Sequence, residues 1–141
     1  MDFVELVRIG IRRRIVGNIV EQGAYQRQWM DDSPQDADLY IRETVIESAK
    51  TEISQQRTKI TALVELDVFV RRNAFPNPLA VASDYADRIF REFNPKDNRK
   101  IVLTLDDGST AYIQQMPYQD APTQEEELLN LPVLFTVGGY V

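Results

Sequence analysis

The stretch TKITALVELDVFVRR, residues 58–72, decides the fold because every second position in it is apolar. Successive side chains of a β-strand point to opposite faces of the sheet, so this alternation predicts one long strand with one face on the core. The residues predicted to face the core are Ile60, Ala62, Val64, Leu66, Val68 and Val70. The alternate positions are Thr61, Leu63, Glu65, Asp67, Phe69 and Arg71.

A helix is predicted shortly after this strand. Residues 75–78 read FPNP, a turn in which Asn77 can cap a helix and Pro78 can take its first position. Apolar residues then recur at helical spacing, at Leu79, Ala82, Ala86, Ile89, Phe90 and Phe93. The residue before a proline is pushed out of the α region, so Asn94-Pro95 ends this helix, which spans residues 78–93.

Another helix is predicted at the start of the chain, from Phe3 to about Val20. Its apolar face consists of Val4, Val7, Ile11, Ile15 and Ile19, which recur at spacings of three and four. Residues 39–48 are rich in β-formers and are interpreted as a strand, whereas residues 47–56 are too polar to assign.

The C-terminal part predicts a β-hairpin and a final strand. Residues 101–105 and 110–113 flank the sequence DDGS at 106–109, which has the turn chemistry of a hairpin. The final strand is predicted from the alternation of Leu129, Leu131, Val133, Phe135 and Val137. The pair Gly138-Gly139 is expected to end it.

Two polar stretches, residues 21–38 and 117–127, are predicted to be long loops. Loops beyond ~12–15 residues are uncommon in compact domains and tend to be functional or disordered, so the first is a candidate contact arm. The whole order of elements predicts an α+β fold, with a mixed, mainly antiparallel sheet and two helices packed on it. The sequence has no internal repeat, and a single domain spanning residues 1–141 is expected.

The composition is that of a folded domain and argues against two classes of partner. Hydrophobic residues make up 43% of the 141 residues, charged residues make up 27%, and the net charge is −6. Nucleic-acid binders generally need a cationic field to displace counterions from phosphates, so no sequence-specific nucleic-acid contact is expected. No apolar run approaches the ~20 residues that cross a bilayer, so we expect no membrane partner and a cytosolic protein.

Residues that carry catalysis are scarce. The chain has no histidine and no cysteine, which removes catalytic triads and most zinc sites. The acidic run from Asp31 to Asp38 fails the calcium-loop pattern, because position twelve is Arg42 rather than glutamate. Glu65 and Asp67 point the same way from the long strand and leave open a small metal-dependent nuclease. We nevertheless predict no enzyme, with no catalytic residue, no cofactor and no metal site.

The residues predicted to contact other protein subunits come from a basic cluster, the first polar stretch and the C-terminal region. A solvated helix face is the plainer interpretation of the basic cluster, and packing on its own domain is the plainer one for a lone tryptophan. The candidates are Arg12, Arg13, Arg14, Tyr25, Trp29, Met30, Glu125, Glu126 and Tyr140. In an oligomer, we expect the arginines to pair with acidic residues of an adjacent subunit.

Three segments carry a resemblance to a known family. They are VELDVFV at 64–70, PLAVASDYADRIFREF at 78–93 after its proline turn, and LPVLFTVGGYV at 131–141. With the N-terminal helix and the hairpin, this order resembles the tail terminator proteins of long-tailed bacteriophages, the family of the lambda minor tail protein U. The chain departs from that pattern in its longer N-terminal loop and its Glu-rich stretch before the last strand.

The resemblance implies an α+β fold and a virion structural protein. Family members assemble as a hexameric ring on the end of the tail tube, stop its growth and present a surface to the head connector. The implied partners are therefore copies of the same chain, the tail tube protein and the head–tail connector protein, with DNA passing through the ring. The implied location is the neck region of the virion tail, after assembly in the host cytoplasm.

Three alternatives remain beside the tail terminator. The first is another head–tail joining or tail completion subunit. The second is the small nuclease that would use Glu65 and Asp67. The third is a stand-alone binding domain with no part in assembly.

Overall fold

The computed structural model describes residues 2–27, 37–94, 102–125 and 127–140, which form an α+β fold of two helices and one seven-stranded sheet. The helices are α1 (Phe3–Ile15) and α2 (Pro78–Phe93). The strands are β1 (Tyr25–Arg27), β2 (Leu39–Ser54), β3 (Arg57–Arg71), β4 (Val102–Thr104), β5 (Thr110–Gln119), β6 (Thr123–Glu125) and β7 (Leu128–Tyr140). Within this part of the chain, no helix is long and apolar enough to cross a membrane.

The sheet is mixed and mainly antiparallel, as the sequence predicted. Its strand order is β1-β2-β3-β7-β5-β4, and β6 pairs with β7 beside the end of β5. Among the described strands, only β1 and β2 pair in parallel. The long strand predicted from residues 58–72 is β3, which lies at the centre and pairs with β2 on one side and β7 on the other.

The apolar row of β3 faces the helices, and both helices pack on this same face of the sheet. Buried residues of α1, including Val7 and Ile11, belong to one cluster with buried residues of α2, including Ile89 and Phe93. The ring of Phe93 stacks on that of Phe135 in β7, with 4.7 Å between the ring centroids. The opposite face of the sheet, which we call the second face, has no helix on it among the described residues.

The two helices differ in how well the sequence predicted their ends. Helix α2 has the predicted bounds, and the Asn77 side chain accepts a hydrogen bond from the Ala80 N–H at 3.2 Å. Helix α1 was predicted to reach Val20 but ends at Ile15. The chain leaves the helix because Val16 is extended and Gly17 adopts a φ of +88°, a conformation that glycine tolerates best.

The hairpin between β4 and β5 is confirmed, with its turn at 106–109. The Asp107 carboxylate accepts hydrogen bonds from the backbone N–H of Ser109 at 2.9 Å and from its hydroxyl at 2.5 Å. Gly108 has a φ of +84°. These bonds to Ser109 hold the pKa of Asp107 below its usual value.

Both predicted loops contain strands. The stretch 21–38 includes a 3-10 turn at Gln22–Ala24 and the short strand β1, which adds to the sheet beside β2. The stretch 117–127 is mostly strand, because β5 continues to Gln119 and β6 follows after residues 120–122. The prediction of a long second loop was wrong, since backbone pairing with β7 outweighs the polar side chains of this segment.

The final strand continues past the glycines that were expected to end it. Gly138 and Gly139 lie inside β7, and Gly139 pairs with both Ile60 and Ala111. The absence of a Cβ has a packing reason here. A Cβ on Gly138 would lie 2.7 Å from the Gln114 side chain, and one on Gly139 would lie 2.5 Å from the Phe3 ring.

Candidate functional site

The most distinctive surface of the molecule is the end of the hairpin formed by β2 and β3. Strand β7 ends beside its base, where Tyr140 pairs with Lys59. Beyond that pair, residues 51–58 form a ribbon with no third described strand beside it, and we call this ribbon the arm. Every residue from Ile46 to Ser54 is exposed to solvent, so both faces of the arm are accessible.

The arm contains residues that favour β-strands, Thr51, Ile53 and Thr58, but it has no continuous apolar face. Thr51 pairs with Lys59, and Glu52 pairs with Thr58, before the chain reverses between Ser54 and Arg57. A strand with one face on the core alternates apolar and polar residues, whereas a strand exposed to solvent on both faces shows no such alternation. Residues 47–56 were too polar to assign from the sequence. That polarity agrees with a ribbon that is exposed to solvent on both faces.

The outer edge of β2 is open along the arm. Strand β1 pairs with β2 only at Ile41, Arg42 and Glu43, and no other described strand pairs with that edge from Ile46 to Ser54. The register of β2 is irregular between Glu47 and Ala49, and charged side chains flank the irregularity. Bulges and charges on an edge strand discourage indiscriminate strand pairing, so contacts here are expected to be made by side chains.

Large apolar side chains stand out in this region. The most exposed of them is Ile53 at the end of the arm, with 55% of its surface accessible, followed closely by Ile46 at 46%. Tyr140, a predicted contact residue, is 40% exposed at the base of the arm, and the Arg57 guanidinium lies 4.1 Å from its ring centroid. Among the predicted contact residues that the structure describes, Tyr140 lies beside the arm.

The predicted arginine cluster is directed towards the chain itself. Arg13 forms an ion pair with Asp106 at 2.5 Å and Arg14 one with Glu92 at 3.5 Å. Arg12 lies 5.9 Å from the centroid of the Tyr25 ring. These contacts join α1 to the β4–β5 turn, to α2 and to β1 within the chain. The pairing of these arginines with an adjacent subunit stays a prediction.

Tyr25 was predicted to contact a partner, but it is buried. Only 6% of its surface is accessible, and its hydroxyl donates a hydrogen bond to the carboxylate of Glu43. The Nε of Arg8 lies 3.4 Å from the same carboxylate. Burial raises the pKa of Tyr25 well above its ordinary value and also raises the pKa of Glu43. This polar group links α1 and β1 to β2, so Tyr25 has a structural role.

The structure does not describe the side chains of the remaining predicted contact residues. Trp29, Met30 and Glu126 lie outside the described residues. Glu125 is the last residue of β6, and its side chain is not described.

Glu65 and Asp67 lie side by side on the second face, as strand geometry predicted. Asp67 is 6% exposed, between Arg42 on β2 and Pro132 on β7. Burial, reinforced by Glu65, raises its pKa to about 7. In the parts of the chain that the structure describes, no three or more Asp, Glu, His or Cys residues come together as a metal-binding group. The two carboxyl groups therefore remain a pair.

Comparison with known proteins adds the fold and nothing about activity. No protein-family model and no curated protein matches this chain. Five chains of solved structures match it. One similar structure, of a protein whose name gives no activity, covers 96% of this chain and 94% of its own, with a TM-score of 0.71 and 14% sequence identity. At this identity the likeness shows a shared fold alone.

Proposed function

We propose that this protein is a virion structural protein that assembles with copies of itself into a ring, caps the tail tube of a long-tailed bacteriophage and joins it to the head connector. The observation that carries the proposal is the arm of residues 51–58, which extends the β2–β3 hairpin beyond the sheet with both faces in solvent. The hexameric number comes from the family resemblance.

The physical support lies in the stability of such an arm. A two-stranded ribbon alone is marginally stable in water, because too little apolar surface is buried to offset the ordering of its backbone. A subunit that keeps one gains stability when a neighbour covers it. The exposed Ile53 of the arm adds apolar area for that contact.

The charge of the chain fits the passage of DNA through a ring. A net charge of −6 repels phosphates, so DNA would pass without sticking. Two of the three arginines of the basic cluster are paired with acidic residues of their own chain, Arg13 with Asp106 and Arg14 with Glu92.

The proposed function is tested by adding the purified protein to a tail tube protein that polymerises and measuring tube lengths by electron microscopy. We expect tubes of shorter and narrower length distribution, each with a ring at one end. A matched control replaces residues 52–58 with Asn-Gly, which keeps Thr51 opposite Lys59 and closes a two-residue hairpin. Tubes that grow to the same length with either protein would contradict the proposal.

A neighbouring function is another head–tail joining or tail completion subunit. Such a subunit would use the same arm for self-assembly, so the two functions differ in the partner protein that is bound. Recovery of the connector protein but not the tube protein in a pull-down would favour this alternative.

A nuclease is supported by one observation, the adjacency of Glu65 and Asp67 on the second face. The described residues bring no third Asp or Glu to this pair, which leaves a magnesium ion few protein ligands there. Cleavage of DNA with magnesium or manganese that is lost in an Asp67→Asn variant would revive this alternative.

A further inference from the structure

A small cleft lies where the start of α1 meets the base of the β2–β3 hairpin. It has a volume of about 140 Å³, and its lining residues are Asp2, Phe3, Val4, Glu47, Lys50 and Ile60. Three of these are apolar and three are charged. The cleft therefore offers an incoming side chain both apolar contact and charged groups.

The tip of the arm offers such a side chain. Ile53 is the most exposed large apolar residue among those described. It lies on the same strand as Glu47 and Lys50, which line the cleft, but beyond them towards the hairpin end. The Ile53 of the same chain leaves its apolar surface in water rather than in this cleft.

The two features offer one pair of opposite charges to each other, Glu52 at the tip and Lys50 in the cleft. Near Ile53 the tip carries one acidic residue, Glu52, and one basic residue, Arg57. The cleft carries one basic residue, Lys50, with two acidic residues. Glu52 and Lys50 form no ion pair within the described chain, so both remain available for a partner.

We infer that Ile53 of one copy inserts into the cleft lined by Phe3, Val4 and Ile60 of a second copy. The inference rests on the proposed self-assembly and names the contact that makes it. Because the tip and the cleft are different patches of one chain, the contact is heterologous and repeats from copy to copy until a ring closes. The charge of Lys50 then faces Glu52 of the neighbouring copy.

The absence of native cysteine makes a direct test simple. An Ile53→Cys variant and a Val4→Cys variant, carrying tags of different size, are co-expressed and oxidised gently. A disulfide requires the two Cβ atoms to come within ~4.5 Å, so the mixed cross-link reports the contact itself. The control pairs Val4→Cys with Ile46→Cys, since Ile46 is the same residue type and is also exposed but lies opposite Leu63, on the second face.

We expect several-fold more mixed cross-link with Ile53→Cys than with Ile46→Cys. An assembled protein that gives equal cross-linking with both would overturn the inference and leave the proposed ring intact. A wild-type protein that never assembles would overturn both.

Two further variants test how much Ile53 contributes to association and whether the contact propagates from copy to copy. Ile53→Ala is expected to weaken association about tenfold or more, because the apolar area of the side chain is no longer buried. In a double variant, Val4→Cys with Ile53→Cys, a head-to-tail contact gives a ladder of cross-linked species beyond the dimer. Cross-linking that stops at the dimer would support the contact but contradict assembly into a ring.

Discussion

The ring of Phe3, at the start of α1, lies against the backbone of Gly139, near the end of β7, so closely that a Cβ on Gly139 would lie 2.5 Å from the ring. Phe3 is buried there and belongs to the core. The first residues of the first helix and the last residues of the last strand therefore meet beside the base of the arm.

Gly139→Ala is expected to destabilise the fold by about 1–3 kcal/mol, because the added methyl displaces the Phe3 ring. The free energy of unfolding in urea measures this effect. Gly23→Ala is the matched control, since nothing lies within 4 Å of a Cβ at Gly23. Equal stability of the two variants would show that the packing of the Phe3 side chain does not require glycine at position 139.

Tyr25→Phe removes the hydroxyl that donates to Glu43 and leaves a buried carboxylate with one fewer donor. We expect a loss of about 1–2 kcal/mol, typical of a buried acceptor that loses its hydrogen bond. Tyr118→Phe, on a tyrosine that is largely exposed, serves as the control and should change stability little. Comparison of both variants by thermal unfolding checks the prediction, and an unchanged Tyr25→Phe protein would contradict the buried role assigned to this residue.

Asp67→Asn is expected to stabilise the protein at alkaline pH. The folded-state pKa is about 7, above the ordinary value of 3.8, so the stabilising effect of the protonated carboxyl is present at low pH and lost as the pH rises through about 7. Above that pH the wild type holds a buried charge that the amide variant lacks. We expect the variant to gain on the order of 2 kcal/mol between acidic and alkaline conditions.

Urea unfolding at several pH values measures this gain, with Asp107→Asn as a control of opposite sign. The bonds from Ser109 lower the pKa of Asp107, so its contribution is present above its ordinary pKa and lost as the pH falls. A stability difference for Asp67→Asn that does not change with pH would contradict the raised pKa.

Asn77→Ala is expected to cost about 1 kcal/mol, because the Ala80 N–H at the start of α2 loses its side-chain acceptor. Asn77→Asp keeps an acceptor at the same position and should retain most of the stability. Both values come from denaturant unfolding, and a similar loss in the two variants would mean that the cap is not the cause.

The sequence predicted the parts of the fold that hydrophobic periodicity specifies. Strand β3 and helix α2 were predicted well because one side of each is buried, and burial produces the period that a sequence displays. Helix α1 was predicted too long, since Ile19 continues its apolar spacing although the chain has already left the helix at Gly17. Periodicity alone does not reveal where a glycine changes the backbone direction.

The candidate site was harder to predict for a related reason. The arm has no buried side, so its sequence shows no hydrophobic period, and residues 47–56 were too polar to assign. Exposed β-formers such as Thr51 and Ile53 were the available signal. The arginine cluster suggested a surface for partners, but whether Arg13 meets Asp106 of its own chain depends on tertiary structure that spacing does not encode.

Sedimentation velocity of the purified wild-type protein over a wide concentration range tests the central claim most directly. Self-assembly through the arm predicts a species several times heavier than the 16.2 kDa chain, and the same experiment on the variant with Asn-Gly in place of residues 52–58 predicts a folded monomer. A wild-type protein that stays at the mass of one chain at every concentration, alone and with tail tube protein, would contradict the account.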